Sequence, residues 1–311
     1  MGVGVAETYV TAELFDQSMT RLAHRRVAVP VDDNQPESVA GHVLACVRAV
    51  REQWSGSPVS AFGASLPGQV DQEGGVSAHA PNWGWHQVPF RSLLERDCDV
   101  PVLLDNPLKA ITQAEQMFGA ARDRDDVIVV NLGTGVGLGV VAGGRLLRAA
   151  TNSAGEWVHT VLHVGGEACR CGNLGCVEAY VGAGALIRLL AEVDPDSGLL
   201  APDDQEETVV RLARAVHDGD SAAVETLTLF ARPLGLALAY AVNTLNPELI
   251  VFSGWVSAAL GEPLASAVTP VIKEYALVTP LDAATAVLCR HLEDPVSLGM
   301  VVLAFETHLL D

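Results

Sequence analysis

The sequence predicts an α/β protein of two domains. Two observations carry that expectation: strand-like apolar runs alternate with helical periodicities along the whole chain, and a polar run, Asp123-Arg124-Asp125-Asp126, interrupts them near residue 120. Length agrees, because 311 residues exceed the roughly 250–300 at which a single core stops growing. The expected division is residues 1–120 and 121–295.

In order, residues 2–15 read as a strand and 22–29 as its hairpin partner, with Asp16 and Gln17 in the turn. Val39, Val43, Leu44, Val47, Val50 and Trp54 recur at helical spacing after Pro36 and Glu37, which suit a first helical turn. Ala61 to Leu66 is an apolar strand ending at Pro67-Gly68, followed by a short helix over 88–96, a strand from Pro101 to Leu104 and a helix over 107–121. Beyond the polar run, Val127 to Leu132 forms a buried strand, a second runs to Ala142, and a third covers 145–148 after the Gly143-Gly144 turn. Helices are expected at 179–193, 205–218, 219–245, 261–276 and from Val296 to Leu310, with strands at Leu249 to Ser253 and Ala286 to Cys289. No tandem repeat is present.

Composition narrows the function. With 49% apolar and 18% charged residues the chain is globular. A net charge of −19 repels phosphate backbones and anionic lipid, so direct nucleic-acid binding is not expected. No apolar run reaches the ~18 residues of a membrane span, and the start of the chain has no export-signal pattern. Cys46, Cys98 and Cys289 lie apart in apolar stretches and read as small buried hydrophobes, which fits a cytoplasmic protein.

The densest chemistry lies between Ala154 and Tyr180. Cys169, Cys171 and Cys176 form C-x-C-x4-C with Gly172 and Gly175 between and beside them, and His159 lies ten residues upstream of the first thiol. Three thiolates and one imidazole make a closed tetrahedral shell for structural zinc, whereas redox chemistry prefers a C-x-x-C pair, which this stretch lacks. Glu156 and Glu178 flank the set, either as acceptors for a polyhydroxylated ligand or as solvated acids beside a metal.

Two loops carry weaker signals. Gly133-Thr134-Gly135-Val136-Gly137 suits a phosphate with bare backbone N–H groups, or is an ordinary glycine-rich turn between strands. Pro81-Asn82-Trp83-Gly84-Trp85 suits sugar stacking, although such tryptophans more often pack.

Taken together, Pro67-Gly68-Gln69-Val70-Asp71, Ala80-Pro81-Asn82, Val102 to Asn106, Gly133-Thr134-Gly135, Ala154-Gly155-Glu156 to His159, and Cys169 to Glu178 resemble the ROK family of sugar kinases and sugar-responsive repressors. The resemblance implies an actin-like, ribonuclease-H-like two-domain fold with a zinc-binding loop, the C-terminal helix 296–311 packing on the first domain, and a homodimer. It implies zinc on His159, Cys169, Cys171 and Cys176. It places sugar contacts at Gly68, Asn82, Asn106, Glu156, His159 and Glu178, and nucleotide contacts, where retained, at Thr8, Gly133, Thr134, Gly135 and Gly254.

Against the family pattern the kinase half departs. The general-base aspartate falls on Pro107, with Asp105 the fallback acid, and the N-terminal Asp-x-Gly-Gly-Thr loop falls on Gly4, Ala6, Glu7 and Thr8. Glu7 turns a negative charge towards a triphosphate, and Trp255 stands in a family glycine run near the adenine. The family's repressors carry an N-terminal helix-turn-helix that this sequence does not show. The expectation is therefore a zinc-stabilised, cytoplasmic binder of a hexose or hexose derivative that has lost phosphotransfer, with ATP and Mg2+ not used. The alternatives are an active ATP-dependent glucokinase-like enzyme with a substitute base, a sugar sensor acting through a partner, or a site recruited to another reaction.

Overall fold

The N-terminal stretch that reads as one strand is two. Gly2–Val5 (β1) and Tyr9–Phe15 (β2) pair antiparallel with Val5 opposite Val10, so Ala6-Glu7-Thr8 becomes the turn, closed by the Ala6 N–H donating to Tyr9 O at 2.9 Å. This computed structural model describes residues 1–288, 292 and 294–309. β3 (Arg21–Ala28) continues the meander, and the Asp16 carboxylate closes its turn by accepting the N–H groups of Ser18 and Thr20, each at 2.9 Å.

α1 (Pro36–Gln53) buries Val39, Val43, Leu44, Val47 and Val50 on one face, as the periodicity requires. β4 (Phe62–Ser65) then pairs parallel with β1. A small antiparallel sheet of β5 (Gln69–Asp71), β6 (Val76–Ala80) and β7 (Trp85–Val88) follows. These strands, three to five residues long and rich in polar residues, are too brief to show a period-two signal. The helix expected over 88–96 is α2 (Phe90–Glu95), shortened because β7 occupies its start. β8 (Val102–Asp105) pairs parallel with β4, and α3 (Pro107–Phe118) follows it.

The second run of elements begins with β9 (Val127–Leu132), β10 (Val136–Ala142) and β11 (Arg145–Leu146), the last stopping two residues short of expectation. α4 (Ala183–Val193) starts four residues late, because Val177–Ala179 forms a 3-10 turn instead. α5 (Gln205–His217) and α6 (Ser221–Leu245) open on Asp204 and Asp220, whose carboxylates each accept an N–H at 2.9 Å. β12 (Leu249–Ser253) is followed by α7 (Trp255–Leu260), α8 (Glu262–Tyr275), α9 (Val278–Ala283) and β13 (Thr285–Leu288). The six-residue α7 and α9 escape periodicity analysis by their shortness. α10 (Pro295–Leu309) ends the described chain. Cys289 and Leu310, expected to close a strand and a helix, lie outside the described residues.

α6 is long and apolar enough by composition to cross a membrane. Its Phe230, Leu234, Ala237 and Leu238 are buried against neighbouring helices of the protein, as in a core helix.

These elements form two compact units. The first holds residues 1–118, 146–154 and the segment from Leu292; the second holds 119–145 and the segment from Gly155 through β13. The first sheet runs β3-β2-β1-β4-β8 and the second β11-β10-β9-β12-β13. β1 lies between antiparallel β2 and parallel β4, and β9 likewise between antiparallel β10 and parallel β12. The turn Ala6-Glu7-Thr8 therefore holds the same topological place in one unit as Gly133-Thr134-Gly135 does in the other.

In the first unit α10 lies directly on α3, β4 and β1. A Cβ on Gly299 would stand 1.8 Å from Ala110 O, and one on Gly63 2.4 Å from Met300 O. Both obstacles are backbone, which cannot yield as a side chain can. We expect Gly299→Ala to cost about 1–3 kcal/mol through overpacking, read as a lower urea midpoint at unchanged slope.

Candidate metal centre and ligand site

The stretch from Gly155 to Tyr180 has little regular structure and is shaped by glycines and close hydrogen bonds. Gly172 and Gly175 adopt φ of +92° and +79°, and a Cβ on Gly175 would stand 1.7 Å from His163 O, so only glycine fits. The Cys169 N–H donates to Asn173 O at 2.9 Å and the Gly172 N–H to Cys169 O at 3.0 Å, folding the thiols back on one another. The Tyr180 hydroxyl accepts the Glu167 N–H at 2.8 Å and ties the two ends of the loop together.

The result is a soft-donor cluster: the ligand atoms of His159, Cys169, Cys171 and Cys176 all lie within 4.8 Å of one another. Cys171 and Cys176 Sγ are 3.7 Å apart, as are Cys169 Sγ and His159 Nδ1. Tetrahedral zinc with Zn–S bonds of about 2.3 Å requires sulfur atoms about 3.8 Å apart, so the donor set fits zinc. Burial pushes the Cys169 thiol up to about 12, with the Glu178 charge adding to it, and burial raises Cys176 as well. Cys171 goes down: burial opposes this, but the Asn173 N–H and its thiol neighbours outweigh it. Three thiolates at this spacing repel one another, and a dication is the charge that reconciles them. With Nδ1 facing the thiols, His159 would bind zinc through Nδ1.

The outer nitrogen, His159 Nε2, faces Glu156 Oε2 at 3.8 Å, while Glu178 Oε2 lies 3.9 Å from Nδ1 and accepts from Cys169 Sγ at 3.5 Å. One imidazole thus stands between two carboxylates on backbone that the cluster holds. Arg170, between the first two thiols, has Nη2 3.7 Å from Glu178 Oε1 and donates from the same nitrogen to Thr134 O at 3.2 Å. It links the metal loop to the glycine turn within the second unit.

In the first unit the decisive stretch is Asp105-Asn106-Pro107. Asn106 caps α3 by accepting the Leu108 N–H at 2.7 Å, and Pro107 is the first helical residue, where its fixed φ and missing N–H are tolerated. The Asn106 side-chain amide donates to Gly68 O, whose φ of +84° and close approach to His79 O exclude any side chain. Asp105 has no exposure at all. Its Oδ2 accepts from Arg148 Nη1 at 2.6 Å, and its Oδ1 accepts from Asn152 Nδ2 at 2.9 Å and the Asn106 N–H at 2.8 Å. Both oxygens are thus held by donors. Lys109, also buried, donates to Ala154 O.

Of the residues singled out in the sequence, the structure brings together the four zinc donors with Glu156 and Glu178, and separately Gly68 with Asn106. Asn82 donates to Glu7 Oε1, so the turn after β1 is wired to the loop before β7, and Thr8 is exposed on that turn. Trp83 and Trp85 pack rather than offer a stacking face: they are 9% and 4% exposed, and Trp85 Nε1 donates to Asn34 O at 2.7 Å. Arg148, Asn152 and Lys109 went unnoticed in the sequence. The one available hint was a cation and an amide just before the Ala154-Gly155-Glu156 signature; their partner lies more than 40 positions away.

A family model, that of the ROK family, matches residues 1–306. The chain belongs to the ROK family. A glucokinase of Halalkalibacterium halodurans is 34% identical over 236 residues, covering 74% of this chain and 71% of that protein. A xylose repressor of Caldicellulosiruptor bescii is 30% identical over 61% of this chain, which spans about half (49%) of that repressor's length. Among solved structures, a ROK family glucokinase from Streptomyces griseus in complex with glucose and AMPPNP aligns with a TM-score of 0.82 at 25% identity, covering 98% of both chains. The fold is thus that of the ROK sugar kinases, an actin-like ATPase fold.

Two outcomes test this geometry. Purified protein is expected to carry about one zinc per chain by elemental analysis. Cys171→Ser should remove most of it and lower Tm by about 6–12 °C, the shift for ~3 kcal/mol in a domain of this size. Arg148→Ala strands a buried carboxylate and should cost about 3–5 kcal/mol, and Asp105→Asn added to it should recover a large part in a chemical-denaturation cycle.

Proposed function

We propose that this ROK protein is a zinc-stabilised binder of a hexose or hexose derivative that no longer transfers phosphate. Zinc holds His159 and its neighbours in place, and Glu156, His159 and Glu178 take sugar hydroxyls. Gly68, Asn82 and Asn106, in the first unit, are proposed contacts of the same kind. A cytoplasmic homodimer without direct nucleic-acid contact belongs to the same reading.

The observation that carries the loss of phosphotransfer is the end of β8. Pro107 stands where the family resemblance puts the base and has no titratable group. The fallback, Asp105, is buried and saturated by Arg148, Asn152 and the Asn106 N–H. A carboxylate in that state is poorly placed to take a proton from a ligand hydroxyl. Loss of a general base typically lowers a rate by ~10²–10⁴. Glu7, in the turn after β1, adds repulsion towards a triphosphate.

An active kinase is the competing reading, favoured by the 34% identity to a glucokinase. A coupled assay of ATP consumption over a panel of hexoses and amino sugars separates the two. We expect background turnover, together with thermal stabilisation by one sugar and none by Mg-ATP. Turnover well above background with any sugar sinks the reading.

A further inference from the structure

In the second unit the Gly133-Thr134-Gly135 turn is held from several sides. Gly133 O accepts the Ala183 N–H at 3.0 Å, Thr134 O accepts from Arg170 at 3.2 Å, and Gly135 O accepts the Gly133 N–H at 3.0 Å. All three carbonyls are therefore engaged, and the turn is a fixed platform. A Cβ on Gly135 would meet nothing within 4 Å, so that part of the turn is open. Gly133 is covered: a Cβ there would lie 3.0 Å from Trp255 Nε1 and 3.2 Å from Trp255 Cδ1. The pyrrole edge of the indole rests on the turn's backbone.

Trp255 has little freedom to leave by moving its backbone. Gly254 before it has φ of +87°, and a Cβ there would stand 2.3 Å from Leu132 O and 2.7 Å from Asn131 Oδ1, so the chain crosses the end of β9 in close contact. Val256 and Ser257 after it are buried, which anchors α7. Only side-chain rotation can uncover Gly133. A glycine turn between two strands serves a phosphate through bare backbone, and a glucokinase aligned with this chain over 98% of both lengths was solved with AMPPNP. An indole, which buries roughly 150–250 Å² when packed, removes that bareness.

We propose that Trp255 is a built-in plug that keeps nucleoside triphosphates off the Gly133–Gly135 turn; this rests on the reading that phosphotransfer has been lost. The chain would then exclude nucleotide at two separate places, by the charge of Glu7 in one unit and by the bulk of Trp255 in the other.

Calorimetric titration of Mg-AMPPNP into the full-length, zinc-loaded protein tests it. Wild type is expected to give no measurable binding. Trp255→Ala should gain binding at least 10-fold above the detection limit, and Trp255→Leu, which keeps an apolar cap on α7 should the smaller residue unfold it, should gain by a smaller factor. Neither variant is expected to turn over ATP, because Pro107 remains. If wild type binds Mg-AMPPNP at micromolar strength, both the plug and the lost-phosphotransfer reading fall. If wild type is silent and folded Trp255→Ala stays silent even when combined with Glu7→Gln, the plug is refuted while the reading of lost phosphotransfer stands.

Discussion

Three thiols and an imidazole gathered within 4.8 Å make an arrangement that bare side chains do not hold well, because the charges that make good ligands also repel. A bound zinc would resolve that conflict within the loop from Gly155 to Tyr180, which has almost no regular secondary structure. The cluster does more than close a loop. It sets one imidazole between Glu156 and Glu178 and carries Arg170 to the glycine turn, so both carboxylates and that turn are held in one connected piece of the second unit.

The first unit is governed by a different constraint, a carboxylate buried without any exposure. Asp105 at the end of β8 must be matched by donors, and Arg148 and Asn152 supply them from a segment that follows β11 in sequence yet belongs to the first unit. The same match engages both oxygens of Asp105. Pro107, two residues on, is a favourable helix start with no titratable group. The proposed loss of phosphotransfer rests on the same three residues, Asp105, Asn106 and Pro107, that give good local structure.

The repeated sheet order sharpens the asymmetry. Each unit has a strand flanked by one antiparallel and one parallel neighbour, and each has a turn at the same topological place. One turn is Gly133-Thr134-Gly135 and the other Ala6-Glu7-Thr8. The former is bare but overlaid by Trp255; the latter carries a carboxylate that binds Asn82. On the proposed reading, neither would offer a triphosphate an unobstructed, uncharged backbone.

Much of this protein was legible from its residues. The alternation of strands and helices, the core face of α1, and the C-x-C-x4-C set with His159 are local patterns that periodicity or spacing reveals, whereas the departures at Pro107 and Glu7 show only against the family resemblance. The break at Ala6-Glu7-Thr8 within the first strand, the short β5–β7 sheet, and α7 and α9 were not legible, because a handful of residues does not establish a period. Trp83 and Trp85 show the same limit from the other side: only packing decides whether an indole faces ligand or core. The pairing of Asp105 with Arg148 and the seating of Trp255 on Gly133 join residues far apart in the chain. Such contacts depend on how sheets and loops bring distant backbone together, and tertiary structure alone decided them.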